Sequence, residues 1–126
     1  MAYLIDSGIM VDFTRSAAIA VDYLQSLRPA FRISAITALE LIAGASSQRD
    51  VAELDILLSI YEQIPPTEDI LGRAYYLMKT HGKSAGLRTL DAIVAATALE
   101  EGLTLATRNR KHFQMIRDLK LEVPNY

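Results

Sequence analysis

The sequence predicts an α/β fold in which a short, mostly parallel sheet is flanked by helices. Short apolar segments typical of buried strands alternate with longer amphipathic segments typical of helices. One alanine-rich segment also has the composition of a helix buried against a sheet. With 126 residues, no internal repeat and no linker, we expect a single domain over residues 1–126.

The first half of the chain alternates strand and helix signals. The apolar run YLI predicts a strand that ends at Asp6, Ser7 and Gly8, where an apolar helical pattern begins. A helix is predicted over AAIAVDYLQSL, stopping before Pro29, and a second strand over FRISA. Two further helices are predicted over ITALELIAGA, which ends at a capping Gly44, and QRDVAELDILLSIYEQ, which leads into a short extended QIP.

The second half continues the alternation after a break at Pro65 and Pro66. A helix closed by Gly82 is predicted over TEDILGRAYYLMKTHG, and KSAG predicts an exposed loop. TLDAIVAATALEEG predicts a buried crossover helix that ends at Gly102, and LTLAT predicts the strand after it. The segments NRKHFQMI and LKLEV complete the chain, the first of them as a helix.

Composition excludes several classes of protein. Without cysteine, the chain has no disulfide, thiolate nucleophile or thiolate zinc site. No apolar run approaches the roughly 20 residues of a membrane span, and no secretory signal is present, so we expect a cytoplasmic protein. A net charge of −2 gives no overall attraction to nucleic acid. The apolar fraction of 51% and the amphipathic helices between positions 48 and 81 favour a homodimer.

Four polar residues are predicted to meet at one edge of the sheet, where the carboxyl ends of the strands lie. They are Asp6, Glu40, Asp91 and Asn109. Each also fits a role as a helix cap, Glu40 as the partner of Thr37 in a capping box. Three carboxylates in one pocket repel one another unless protons or a cation compensate, and hard oxygen ligands suit Mg²⁺ or Mn²⁺.

Basic residues flank these acids along the chain. An acidic centre with a basic rim suits a phosphodiester, since metal-bound carboxylates would position the scissile phosphate and activate a water. Ordinary solvated surface charge is the alternative for each basic residue. The basic residues lie around Asn109 (Arg108, Arg110, Lys111 and His112) and before Asp91 (Lys79, His81, Lys83 and Arg88).

Three successive motifs resemble those of PIN-domain ribonucleases, specifically the small VapC-type toxins of bacterial and archaeal toxin–antitoxin pairs. The motifs are YLIDSGIMVD, ITALELIAGA and LRTLDAIVAATALEEGLTLATRNRKHF. The resemblance implies a PIN-like three-layer sandwich and Mg²⁺- or Mn²⁺-dependent endonucleolytic cleavage of RNA that inhibits translation. It also implies a cognate antitoxin that lays an apolar segment along the protein and blocks the pocket.

The resemblance assigns roles to particular residues. Asp6, Glu40 and Asp91 would be the catalytic, metal-binding acids, and Asn109 stands where many members carry a fourth acid. Gly8 departs from the frequent asparagine of the family. The residues predicted to contact the substrate are Ser7, Arg88, Thr107, Arg108, Arg110 and Lys111.

Other polar and aromatic residues receive structural interpretations. Asp12 lies about 240° round a helix from Asp6, so we expect it to be solvated outside the pocket. Tyr75 and Tyr76 could stack on RNA bases, but an aromatic pair in an amphipathic helix is more often in the core or an interface, where we expect them. His81 and His112 lack metal-ligand spacing to each other, and His112 is expected to contact phosphate at most.

Two other classes of function remain open. One is a receiver-like signalling domain, which also places acids at strand ends. The other is a catalytically silent α/β binding module in which the acids serve only as helix caps.

Overall fold

The computed structural model describes residues 2–15, 18–27 and 31–126. Along these residues strands and helices alternate, as the sequence predicts. The strands are β1 (Tyr3–Ile5), β2 (Phe31–Ser34), β3 (Gln63–Ile64), β4 (Thr104–Ala106) and β5 (Leu121–Glu122). The helices are α1 (Ser7–Thr14), α2 (Ala18–Ser26), α3 (Ala35–Ala43), α4 (Gln48–Leu58), α5 (Glu68–Ala85), α6 (Thr89–Glu101) and α7 (Arg110–Phe113).

The strands form one parallel sheet in the order β3-β2-β1-β4-β5. The central strand β1 is buried, and its neighbouring side chains point to opposite faces because side chains alternate along a strand. Leu4 belongs to a core built with α5, α6 and α7, whereas Ile5 belongs to a second core built with α1, α2 and α3. The fold is therefore the three-layer sandwich that was predicted, with a core on each face of the sheet.

The alanine-rich helix α6 is buried as predicted. Its small side chains allow close packing against the sheet, and six of its residues are fully or almost fully buried. Gly102 ends it in the left-handed conformation that glycine adopts without steric cost. None of the described helices is both long and apolar enough to cross a membrane.

The prediction of an exposed loop over KSAG is wrong. Helix α5 continues through Gly82 to Ala85, and the residue with a left-handed backbone is Gly86, with a φ of 70°. Extensive packing against α6 offsets the weak helix propensity of Gly82. The loop that precedes α6 is consequently short, and it brings the end of α5 close to Asp91.

Several predicted boundaries shift by a few residues. Helix α4 ends at Leu58 rather than continuing through Gln63, and α7 ends at Phe113 rather than at Ile116. The strand predicted over FRISA ends at Ser34, and Ala35 already belongs to α3. Gly44 caps α3 as predicted. The predicted stop before Pro29 lies outside the described residues.

The interpretation of Thr37 and Glu40 as a capping box is also wrong. Ser34 is the cap of α3, and its hydroxyl accepts a hydrogen bond from the Ile36 backbone N–H. Because the helix begins two residues before Thr37, both Thr37 and Glu40 lie inside it. Glu40 is therefore free of a capping role and lies on the part of α3 that borders the carboxyl edge of the sheet.

Candidate active site

Asp6 occupies the junction between the central strand and the first helix. The backbone N–H of Asp6 donates to the Ala106 carbonyl over 2.9 Å, which continues the pairing of β1 with β4 beyond the last strand residue. Asp6 also caps α1, accepting at Oδ1 from the Ser7 backbone N–H over 2.9 Å. The pairing of parallel strands thus places the carboxylate beside the chain that leaves β4.

The second oxygen of Asp6 is held by Thr107. The Thr107 hydroxyl donates to Asp6 Oδ2 over 2.7 Å and accepts from the Asn109 backbone N–H over 3.0 Å. Thr107 is completely buried, so its side chain is out of reach of an RNA strand and cannot make the predicted substrate contact. Its role in the structure is to fix the carboxylate of Asp6.

The three predicted acids interact electrostatically. Burial raises the pKa of Asp6 above its ordinary value of 3.8, hydrogen bonds from Thr107 and Ser7 oppose the rise, and the charge of Asp91 adds to it. Burial likewise raises the pKa of Glu40, and both Asp6 and Asp91 contribute. The sheet edge therefore brings together three carboxylates, from β1, α3 and α6, that repel one another.

Asp91 differs from the other two acids in its partners. It lies in the first turn of α6, with a side chain that is 14% exposed. Its Oδ2 atom lies 3.2 Å from Arg88 Nε and 3.5 Å from His112 Nδ1. The contact with His112 was not predicted from the sequence.

Asn109 does not cap the short helix that follows it. Its side chain makes no capping hydrogen bond, which removes the structural support for the cap interpretation. A methyl group added to Gly8 would lie 3.7 Å from Asn109 Nδ2, so the amide lies against the start of α1. An amide therefore borders the site from position 109, beside a glycine at position 8.

The side chain of Arg108 interacts with Asp12 and Tyr126 of the chain itself. Its Nη1 atom lies 2.8 Å from Asp12 Oδ2, and its guanidinium lies 5.0 Å from the centre of the Tyr126 ring. The Tyr126 hydroxyl donates to the same Asp12 oxygen over 3.2 Å. The expectation that Asp12 is solvated is wrong, because Arg108 and Tyr126 cover it; the pairing ties the β4–α7 loop to α1.

The remaining predicted residues are accessible. Arg110 and Lys111 are exposed on α7, and Ser7 is half-buried beside Asp6.

Tyr75 and Tyr76 are 68% and 59% exposed, so the prediction that this pair lies in the core is wrong, and a position in an interface remains. The ring of Tyr75 lies 5.3 Å from Lys79 Nζ.

The donor types at this sheet edge fit a hard divalent cation, since carboxylate and amide oxygens are the ligands that such an ion prefers and the mutual repulsion of the carboxylates needs a counter-charge. Within residues 2–15, 18–27 and 31–126, no three acidic or histidine side chains lie close enough together to enclose one ion. Asp91 points to Arg88 and His112 instead. The acids thus suit the ion chemically, and these side chains would have to move closer together to enclose it.

The supporting role of Thr107 was missed in the sequence. The available signal was a hydroxyl residue directly after β4. That signal is useful only if β4 is known to lie next to β1, the strand that leads to Asp6, and strand order is a tertiary property. Similarly, nothing local in the sequence indicates that Tyr126 contacts Asp12, which is 114 residues away.

Comparisons with known proteins place this chain and its fold in a family. Ribonuclease VapC10 of Mycobacterium tuberculosis is 35% identical over 122 residues, which cover 93% of this chain and 90% of the relative. The solved toxin-antitoxin complex from Klebsiella pneumoniae matches with a TM-score of 0.83 and 30% identity, over 98% of both chains. VapBC-1 from nontypeable Haemophilus influenzae matches with a TM-score of 0.81 and 28% identity over the full length of both chains.

The family pattern of the PIN domain matches residues 3–118, which include every residue of the acidic cluster. The resemblance seen in the three sequence motifs is thereby confirmed. This chain belongs to the PIN domain family.

Proposed function

We propose that this protein is a Mg²⁺- or Mn²⁺-dependent endoribonuclease that serves as the toxin of a toxin–antitoxin pair and inhibits translation. The observation that carries the proposal is the meeting of Asp6, Glu40 and Asp91 at the carboxyl edge of the sheet. The similarity to proteins named ribonuclease VapC and to solved toxin-antitoxin complexes supports it.

The chain's own residues provide the positioning for phosphodiester hydrolysis. A bound divalent cation would neutralise the carboxylates and polarise a phosphoryl oxygen. Asp6, Glu40 and Asp91, with Asn109, are the residues that would hold it. Thr107 keeps Asp6 oriented through a 2.7 Å hydrogen bond from its buried hydroxyl.

The exposed cations beside the acids are suited to bind the flanking RNA phosphates. Arg88, Arg110 and Lys111 are exposed and border Asp91 or Asn109, and Ser7 lies beside Asp6. Arg108 would contribute less directly, because Asp12 and Tyr126 hold it. Hydrolysis then breaks one P–O bond of the backbone, with water supplying the hydroxyl group.

A cognate antitoxin is part of the proposal. An open groove of about 510 Å³ is lined mainly by apolar residues of α1, α2, β2 and the segment after α4, including Phe13, Leu24, Phe31 and Ile60. Ile60 is 70% exposed, so an apolar segment of a partner would find a surface to cover there.

We propose a homodimer for the same protein. Leu71 and Tyr75 lie one turn apart on α5 and are 47% and 68% exposed, which gives this helix an apolar outer surface. Light scattering tests the dimer, and a monomer mass at tens of micromolar protein would contradict it.

The decisive experiment compares Asp6→Asn with Asp55→Asn, which makes the same charge change at an exposed aspartate on α4. We expect Asp6→Asn to lower Mn²⁺-dependent RNA cleavage by at least about 100-fold, because it removes a ligand rather than a supporting group. Asp55→Asn should cleave like the unaltered protein. Full activity of a folded Asp6→Asn variant would remove Asp6 from the site.

Thermal unfolding separates a nuclease from a silent binding module. A cation that binds only the folded state raises the Tm according to RT ln(1 + [L]/Kd). We expect Mn²⁺ to stabilise the unaltered protein and to stabilise Asp6→Asn much less. No stabilisation of either protein would favour the silent module, whereas the receiver-like alternative is already set aside by the family.

A further inference from the structure

One oxygen of Asp91 is shared by two nitrogen groups. Arg88 Nε lies 3.2 Å and His112 Nδ1 lies 3.5 Å from Asp91 Oδ2. The two groups come from different elements, since Arg88 precedes α6 and His112 lies on α7. Both contact the same carboxylate oxygen, so this oxygen of Asp91 is already occupied by groups of the chain itself.

Arg88 is placed as a counter-ion for two of the three acids, Asp91 and Glu40. Its positive charge lowers the pKa of Glu40, against the rise that burial, Asp6 and Asp91 cause. Its side chain is 71% exposed and makes no capping hydrogen bond to α6. Apart from the ion pair with Asp91, no hydrogen bond or salt bridge of the Arg88 side chain is found in the described part of the chain, so the guanidinium can swing into solvent at little cost.

A small cavity lies directly beside this ion pair. Its volume is about 160 Å³. Two further basic side chains, Lys111 and His112, line it together with Arg88, while Asp91 forms its acidic wall. Once the charge of Asp91 is compensated by another cation, the charges of Arg88 and Lys111 remain around the space beside the His112 ring, and they favour an anion.

We infer that Arg88, assisted by His112, is a built-in counter-ion that a divalent cation displaces from Asp91, and that the displaced guanidinium then binds an RNA phosphodiester in the adjacent cavity. The inference rests on the proposed function, because it assigns the order in which that site takes its ion and its substrate. Arg88 is in this role a binding residue for RNA and a competitor of the metal.

Cooperativity between the two ligands follows. The metal frees Arg88 for the phosphate, and a phosphate that holds Arg88 frees Asp91 for the metal. Linkage requires the two effects to be equal, so RNA tightens metal binding by the factor by which metal tightens RNA binding.

Nuclear magnetic resonance tests the displacement directly. Addition of diamagnetic Mg²⁺ should shift the Nε–H signal of Arg88 as its partner changes from Asp91 to water. Arg73 serves as the internal control, since it pairs with Glu100 over 2.6 Å at the opposite end of α6. An Arg88 signal that stays fixed while Mg²⁺ saturates the protein would overturn the inference.

Calorimetric titration with Mn²⁺ tests the competition. Arg88→Gln should bind Mn²⁺ about two- to fivefold more tightly than the unaltered protein, the range expected when an exposed ion pair no longer competes. The matched control is Lys111→Gln, which removes a charge from the same cavity but has no ion pair with Asp91 among the described residues. Its Mn²⁺ affinity should change by less than about twofold.

The outcomes separate the inference from the proposed function. If the unaltered protein binds no Mn²⁺, the metal site itself is contradicted. If it binds Mn²⁺ and Arg88→Gln binds equally or less tightly, the counter-ion role alone is contradicted.

A 2′-O-methyl RNA oligonucleotide measures the coupling. Mn²⁺ should tighten its binding to the unaltered protein and tighten its binding to Arg88→Gln less. An equal effect of Mn²⁺ on both proteins would overturn the phosphate contact of Arg88.

Discussion

Two acids of the same cluster are held in opposite ways. Asp6, at the end of β1, is 4% exposed and accepts hydrogen bonds from two neutral donors, the Ser7 N–H and the Thr107 hydroxyl. Asp91, at the start of α6, contacts Arg88 and His112. A neutral donor orients a carboxylate and leaves its charge available, whereas a cationic partner neutralises it. We therefore expect loss of the partner to weaken metal binding at Asp6 and to strengthen it at Asp91.

The largest effect is expected at the Asp6 side of this comparison. Thr107→Val keeps the shape of the side chain but removes the hydroxyl that holds Asp6 Oδ2 and accepts from the Asn109 N–H. Mn²⁺ affinity should fall about 10- to 100-fold, as is common for groups that orient a metal ligand. Stability should fall by about 1–3 kcal/mol, because buried polar atoms lose their partners. Calorimetry and urea unfolding measure the two changes.

Thr97→Val is the matched control for this substitution. Thr97 is equally buried, but its hydroxyl donates only within α6, to the Ile93 carbonyl. Mn²⁺ affinity should be unchanged in Thr97→Val and restored in Thr107→Ser. Equal Mn²⁺ affinities of Thr107→Val and the unaltered protein would mean that Asp6 needs no neutral donor, and the comparison would fail.

A smaller effect is expected at Asn109, whose side-chain amide lies against the start of α1. Asn109→Asp adds a carboxylate near the start of α1 and should tighten Mn²⁺ binding about fivefold, the size of one extra charge at contact distance in a solvated site. Calorimetric titration decides this, and equal affinities would remove Asn109 from the metal-site residues. Because Asn109 makes no capping hydrogen bond, Asn109→Ala should cost less than the roughly 1 kcal/mol of a lost cap.

The smallest effect concerns stability and pH. Folding raises the pKa of Glu40 above its ordinary value of 4.5, mainly through burial and then through Asp6 and Asp91. The folded state therefore binds the proton more tightly, and stability is lost as pH rises from about 4.5. Glu40→Gln should remove this loss, with a Tm roughly 2 °C above that of the unaltered protein at pH 7 without divalent ions.

At pH 4 the two proteins should unfold at the same temperature, because Glu40 is then largely protonated in both states. The control is Glu101→Gln, at an exposed position, whose Tm should follow that of the unaltered protein throughout. A lower Tm of Glu40→Gln at pH 7 would show that the acids do not repel one another in the folded protein.

The sequence alone determined the alternation of strands and helices, the parallel sheet and the burial of α6, and it predicts Asp6, Glu40 and Asp91 as one cluster. These features depend on local apolar patterns and on the rule that parallel strands share a carboxyl edge, so short segments suffice to predict them. The end of α5 was misplaced because packing against α6 outweighs the local signal of Gly82.

Only the tertiary structure decided which partner each acid has. The bond from Thr107 to Asp6 spans 101 residues and depends on β4 lying next to β1. The contact of His112 with Asp91 depends on how α7 packs against α6. Likewise, Arg108 forms an ion pair with Asp12, and Tyr126 donates a hydrogen bond to the same carboxylate. Folding brings Asp12 and Tyr126 together from opposite halves of the chain. Side-chain pairing acts over a few ångströms, and distances of that size between remote segments are set by packing.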